Sequence, residues 1–271
     1  MPQADASPVR SIVTKVPEVT AYFWTIKVLT TALGESASDY LVFHMNPELA
    51  VGLGFLAFVA AMVLQFRAKK YVPWVYWLAA LMVAVFGTMA ADVVHVVLGV
   101  PYLDSVVFFT LALGLLFTFW YLSERTLSIH SIHTRRREMF YWATVLATFA
   151  LGTATGDLTA STFGWGYLGS GFVFAGIIAA IALSHQAMGA LLGRAHRHFS
   201  RNAVFAFWLA YVFTRPLGAS FADWMGKPPS IGGLGWGDGA ASLLLFVPMA
   251  VLVAVLQKTH RDVDSGRTTE S

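Results

Sequence analysis

Long apolar blocks separated by short polar interruptions run through this chain, and the blocks set its architecture. Eight of them approach the roughly 20 residues that a helix needs to cross a bilayer. They lie at about Val19 to Val42, Asn46 to Phe66, Trp74 to Leu98, Ser105 to Ser123, Met139 to Phe163, Gly171 to Leu192, Ala203 to Met225 and Gly239 to Gln257. The interruptions carry punctuation that ends or starts helices. Asn46-Pro47-Glu48 is a restart signal, Gly99-Val100-Pro101 a turn, and Gly164 to Gly169 a glycine-rich joint. Pro17-Glu18 suits a first helical turn, where proline lacks only a hydrogen bond it would not make and the acid favours the positive end of the dipole.

Within the blocks one pattern recurs. Trp24, Gly34 and Asp39 stand ten and then five residues apart, and the spacing returns at Trp77, Gly87, Asp92, at Trp142, Gly152, Asp157 and at Trp208, Gly218, Asp223. An aromatic residue precedes each Trp (Phe23, Tyr76, Tyr141, Phe207), and a small one precedes each Asp (Ser38, Ala91, Gly156, Ala222). Four gapless copies define a fourfold internal repeat. On a helix the repeated residues fall within an arc of roughly 140°. Gly34/Ser38, Gly87/Ala91, Gly152/Gly156 and Gly218/Ala222 are small-xxx-small pairs, which let helices approach closely in lipid.

The expected fold is therefore all-α. It is a polytopic membrane protein with eight transmembrane helices, arranged as four parallel two-helix repeats with pseudo-symmetry about the membrane normal. A fourfold ring and two twofold pairs both satisfy the pattern. The chain divides into an N-terminal arm (1–16), one transmembrane domain (17–257) with repeats at about 17–70, 71–138, 139–201 and 202–257, and a polar C-terminal tail (258–271).

Composition agrees with the pattern. Hydrophobic residues make up 57% and charged residues only 12% of the chain, against about a quarter charged in soluble domains. No cysteine is present, which excludes disulfides, thiolate metal sites and thiol catalysis. Residues 1–16 lack a signal-like apolar core, so no cleavage is expected. The net charge of +3 reflects basic loops and does not indicate nucleic acid. Fifteen of the eighteen Lys and Arg lie in the N-arm, the connectors between repeats and the C-tail, whereas the loops inside repeats hold only Lys227. The positive-inside rule then puts both termini in the cytoplasm.

The candidate chemistry is acidic. Each Asp lies about 22 Å along its helix from its Trp, which puts all four in the outer half of the membrane. A carboxylate there costs several kcal/mol, roughly, unless paired, protonated or wet. Asp39, Asp92, Asp157 and Asp223, with Glu35, either line an aqueous ion path or serve as four structural locks capping the second helix of each repeat. Those second helices carry caps of their own in Asn46, Asp104, Ser170 and Asp238, which points to a functional use of at least some of the aspartates and so to a mixture of path and lock.

Lys27 and Arg215 are the other charges within spans. They are expected to offset Glu35, Asp39 or Asp223, and their counterparts in other repeats are uncharged: Ala80 and Val145 for Lys27, Ala84 and Phe149 for Arg215. Thr88 and Thr153 stand where Glu35 stands. Arg215 precedes Pro216, which predicts a kinked or locally unwound helix. His95 lies one turn past Asp92, where it is a candidate to share a proton or a metal ion; a packed, hydrogen-bonded histidine is the plainer alternative. His130, His133, His196 and His198 belong to basic connectors, where solvation is expected, and His185-Gln186 lies near the cytoplasmic end of the sixth span. No bis-His haem pair, HExxH, P-loop or nucleophile elbow occurs, so neither a cofactor nor enzymatic activity is expected, and the identity of any metal stays open. Tyr102, Trp165, Tyr167 and Trp236 suit an interfacial aromatic belt.

Lys15-Val16-Pro17-Glu18-Val19-Thr20, Tyr22-Phe23-Trp24 and Gly34-Glu35-Ser36-Ala37-Ser38-Asp39 resemble a bacterial membrane protein family defined by four tandem repeats of unknown function. The resemblance covers about residues 15–257. It implies two transmembrane segments and a shared Trp per repeat, and a place in the bacterial inner membrane. It implies no activity. From the residues, the first expectation is a small-cation or proton transporter or channel. The alternative is a membrane scaffold or regulator acting through its basic connectors. The bilayer is the expected partner, with a small cation or proton as cargo, and a homo-oligomer is compatible with the pattern.

Overall fold

The computed structural model describes residues 14–192 and 197–262. Residues 1–13, 193–196 and 263–271, and with them His196, lie outside the described residues, as does the side chain of His198. Eight α-helices follow in order: α1 (Ala21–His44), α2 (Pro47–Arg67), α3 (Pro73–Asp92), α4 (Tyr102–Glu124), α5 (Arg135–Asp157), α6 (Gly166–Leu192), α7 (Arg197–Gly226) and α8 (Asp238–Thr259). No strand occurs among the described residues.

Local chemistry sets the helix ends. Thr20 caps α1 by accepting from the Phe23 amide, so Pro17-Glu18 stay outside the helix they were expected to open. The Glu18 amide is bonded instead to the Asp262 carbonyl at 2.9 Å. Asn46 caps α2 through the Leu49 amide, with Pro47 and Glu48 behind it. The other expected second-helix caps do not form. Asp104 and Asp238 lie in the first turns of α4 and α8 without capping them, and the buried Ser170 hydroxyl lies inside α6. α3 and α5 both pass into a π-helical turn directly after the repeat aspartate, at Val93–Val97 and Leu158–Thr162. α7 runs unbroken through Pro216, so the unwinding expected there is absent. Neighbouring helices support a proline within a bundle, and here α5 does so: a side chain on Gly152 would collide with Arg215 and Pro216.

The first helices of the repeats enclose the core. α1 packs on α3 and α7, and α5 packs on α3 and α7, which closes a four-helix inner ring. Each second helix lies against the first helix of the following repeat: α2 on α3, α4 on α5, α6 on α7, and α8 back on α1. The repeat residues form the joints. A Cβ on Gly34 would strike Ala84, on Gly87 Phe149, on Gly152 Arg215, and on Gly218 Thr31. Each glycine thus meets the residue three places before the glycine of the next repeat. The aromatic residue preceding each Trp packs on the next repeat's Trp in the same cyclic way: Phe23 on Trp77 at 5.8 Å, Tyr76 on Trp142 at 5.4 Å, Tyr141 on Trp208 at 6.0 Å and Phe207 on Trp24 at 5.6 Å between ring centres. The small-xxx-small faces are helix seams.

Six helices are long and apolar enough to cross a membrane: α2, α3, α4, α6, α7 and α8. α1 carries Lys27, Glu35 and Asp39, and α5 has a basic first turn and many Thr and Gly. Both belong to the inner ring, where protein surrounds them and an apolar face is not required. The outer helices expose Leu, Phe and Val, as at Leu56, Phe108, Leu183 and Leu244. Such surfaces suit lipid.

One end of the bundle gathers the described parts of the basic connectors, among them Arg67, Arg125 and Arg135 at helix ends. Thr14 accepts from the Tyr71 amide at 3.1 Å and Lys15 donates its amide to Ile132 at 2.9 Å. The Lys15 ammonium reaches the buried Glu138 at 2.6 Å, and Gln65 holds the other oxygen at 3.0 Å. The 125–134 connector packs inward through Ile129 and Ile132, while His130 stays 55% exposed beside Glu18 at 3.4 Å. A groove of about 810 Å³ opens near this end between α6, α7 and the connector, lined by Leu127, His130, Ile181, His185 and Phe207.

A candidate cation site in the inner ring

Two polar levels interrupt the apolar interior of the ring. At the deeper one, Arg215 on α7 is fully enclosed and reaches three other repeats. Its Nη2 bonds Glu35 Oε2 on α1, Thr88 Oγ1 on α3 and Thr153 Oγ1 on α5, the last at 2.8 Å. Its Nη1 donates to the Thr31 carbonyl at 3.4 Å. Glu35, Thr88 and Thr153 hold the same place in their repeats, one residue past the glycine. The threonine hydroxyls accept from the guanidinium while lying 3.0 and 3.2 Å from the carbonyls of Ala84 and Phe149 one turn back. Lys27 is also buried, but it does not pair with an acid. Its ammonium sits 4.3 Å from the centre of the Phe149 ring and 4.2 Å from that of Tyr211. It makes no hydrogen bond.

The outer level holds the aspartates. Asp39 bonds the Lys227 ammonium, and Asp223 lies 3.8 Å from it. Carboxylate oxygens of Glu35, Asp39 and Asp223 all lie within 4.8 Å of one another. Asp92 and Asp157 are half-buried and share this field. Both feel the charges of Glu35, Asp39 and Arg215, and Asp92 feels Asp157 as well. Tyr102 and Tyr167, expected only in an interfacial belt, lie within the field of Asp157 and Asp223 at the rim. Trp165 and Trp236 are about half exposed, as a belt requires.

Lys227 follows α7 and is partly exposed. Burial works against its ammonium, but Asp39 and then Asp223 outweigh that and hold it above the ordinary lysine range. Oxygen donors at these separations match the reach of a hard cation bound at about 2.3–2.6 Å from each ligand.

Of the sequence-derived charge partners, Arg215 pairs with Glu35 as expected, whereas Lys27 does not reach an acid. His95 bonds locally instead, with Nδ1 3.2 Å from the Val100 carbonyl, 3.5 Å from Ser105 Oγ, and its ring 4.5 Å from Tyr102. The π-helical turn after Asp92 carries it toward the following loop. Thr88 and Thr153 were marked by register alone, and nothing in their chemistry announced an arginine partner. Lys227 stood out as the one basic residue of the intra-repeat loops, but its contact spans 188 residues of chain.

Four segments of the chain, 22–71, 75–126, 140–188 and 206–262, match DUF347, a Repeat of Unknown Function. The chain belongs to this repeat family. No curated protein and no solved structure matches it. The matched segments start and stop in phase with the Trp-Gly-Asp pattern, so each family repeat corresponds to one inner helix and the outer helix after it. The signature residues are thereby explained as joints: the Trp and the aromatic before it close one belt of the ring, and the glycine closes another.

Proposed function

We propose that this member of the DUF347 repeat family moves a small cation or protons across the bacterial inner membrane. All eight helices span it, with pseudo-fourfold symmetry about the membrane normal, and the basic end with both termini faces the cytoplasm. The convergence of the four repeat aspartates and Glu35 on one end of the inner ring, with an ammonium lodged among them, carries this reading. Structural locks would cap helices; in α2, α4 and α8 the N-cap is Asn46, Pro101 or Gly237, not a repeat aspartate.

The interior is not an open pore. Beneath the acids the Arg215–Glu35–Thr88–Thr153 cluster fills the ring, and beneath that Tyr76 and Tyr141 meet hydroxyl to hydroxyl with Phe23 and Phe207 beside them. Passage therefore requires the Arg215 latch to rearrange, which suits a carrier with alternating access better than a channel. Flux of protons and of monovalent and divalent cations into liposomes containing the purified protein tests this. Wild-type flux that falls at least about tenfold in a monodisperse Asp223→Asn variant supports it. Absence of flux in the wild type refutes it.

A further inference from the structure

The groove between α6, α7 and the 125–134 connector lies at the end opposite the repeat aspartates, and a departure from the repeat opens it. Two residues before the signature Trp stand Tyr22, Val75 and Phe140, but Ala206 in the fourth copy; five before it stand Val19, Val72 and Arg137, but Ala203. In the third repeat Phe140 stacks on Trp120 of α4, ring centres 6.2 Å apart, and fills the seam between an outer helix and the inner helix after it. Ala203 and Ala206 bring no such bulk to the seam between α6 and α7, and both line the groove. The connector wall is held in place: Trp208 donates its indole N–H to the Leu127 carbonyl at 2.9 Å, and Ile129 is buried. The groove is therefore built into the fold.

Polarity is graded along its length. α6 lines it with Ile178, Ile181 and Ala182 and then, toward the basic end, with His185 and Gln186, over about 12 Å. Between Gly166 and Leu192 this helix carries no Asp, Glu, Lys or Arg. α7 opens with Arg197 and Arg201 in its first two turns, and its first acid is Asp223 near the far end. No acid lines the groove; Glu18, 3.4 Å from His130, is the acid at its edge. An apolar trough with N–H donors at one end, beside a basic helix start and an outer helix that exposes Leu183, fits an amphiphile with a negative head. We propose that the groove binds an anionic phospholipid of the cytoplasmic leaflet. One acyl chain lies along Ile178, Ile181 and Phe207, and the phosphate accepts hydrogen bonds at the mouth from His130, His185 or Gln186. Basic pockets between spans on the cytoplasmic side generally suit acidic headgroups, and that leaflet supplies them. The choice of leaflet rests on the orientation proposed above; the site itself requires neither that orientation nor transport.

Native mass spectra of the full-length protein in detergent test this apart from flux and orientation, with phosphatidylglycerol or phosphatidylcholine of the same acyl chains titrated in. Wild type is expected to retain one phosphatidylglycerol at about tenfold lower lipid concentration than one phosphatidylcholine. Ala206→Phe, which gives the fourth repeat the ring that Phe140 supplies in the third, is expected to weaken phosphatidylglycerol retention about tenfold. Should Ala206→Phe misfold by size exclusion, Ala182→Leu fills the groove from α6 instead. Undiminished retention by a folded groove-filling variant overturns the site. Equal retention of the two lipids by wild type overturns recognition of an anionic head. A wild-type dimer that Ala206→Phe dissociates assigns the groove to a second copy of the chain and likewise overturns the proposal.

Discussion

Arg215 and Glu35 show how single residues specialise a repeated frame. Three repeats place Glu or Thr one residue past the glycine, and the fourth places alanine there and supplies Arg215 one turn earlier. Breaking such a buried pair leaves one charge unpaired, at a cost of about 3–5 kcal/mol, whereas an apolar pair of similar volume is often tolerated. Arg215→Met alone is therefore expected to lower stability by about that amount, and Arg215→Met with Glu35→Met to recover most of it, as read by thermal unfolding in detergent. Equal losses in both would deny the pairing. The charged residues were legible in the sequence as partners in waiting. Lys27 was misread because a buried ammonium usually seeks a carboxylate, and here ring faces receive it.

Asp262, beyond the last span, gives a pH signature. Burial raises its pKa, against the hydrogen bond from Tyr71 that favours the charged form. A carboxyl with a raised folded pKa binds its proton more tightly in the folded state. Its stabilising contribution is present below the ordinary aspartate value of about 3.9 and is lost as pH rises through the raised one. Asp262→Asn is thus expected to gain stability relative to wild type at about pH 8 and not at about pH 4. A deficit at both pH values would show that the hydrogen bond outweighs the charge.

At the scale of elements, the eight helices were readable from hydropathy and punctuation because apolar length is a local property. Their partners were not. Sequence spacing put Trp, Gly and Asp on one face, but only the closed ring reveals that each glycine receives the next repeat's residue, so that Gly152 makes room for Arg215 and Gly218 for Thr31. The π-helical turns after Asp92 and Asp157 also escaped the pattern, since their bonds, Leu98 to Val93 and Phe163 to Leu158, change no residue type. The seam predicts a contrast between two glycines. Gly152→Ala forces a methyl onto the root of Arg215 and is expected to cost about 1–3 kcal/mol. Gly114→Ala meets no atom within 4 Å and is expected to be neutral or slightly stabilising. Equal melting shifts for the two would contradict the seam.

For the whole molecule, the fourfold repeat makes a ring whose two ends differ in charge and in closure. The basic end is knitted shut by Lys15–Glu138–Gln65, the folded 125–134 connector and Asp262. The other end offers acids, of which Asp39, Asp92 and Asp157 are half-buried and Asp223 and Glu35 buried. The contact between α8 and α1 closes the circle of helices. The natural absence of cysteine allows a direct measurement of the central claim, that the four aspartates open onto one shared vestibule facing away from the basic connectors. Single Asp→Cys replacements at Asp39, Asp92, Asp157 and Asp223 would be exposed to a membrane-impermeant cationic thiol reagent, in spheroplasts and in inverted vesicles. All four positions are predicted to react in spheroplasts and to be protected in inverted vesicles. Labelling from the basic side, or at no position, would contradict the account.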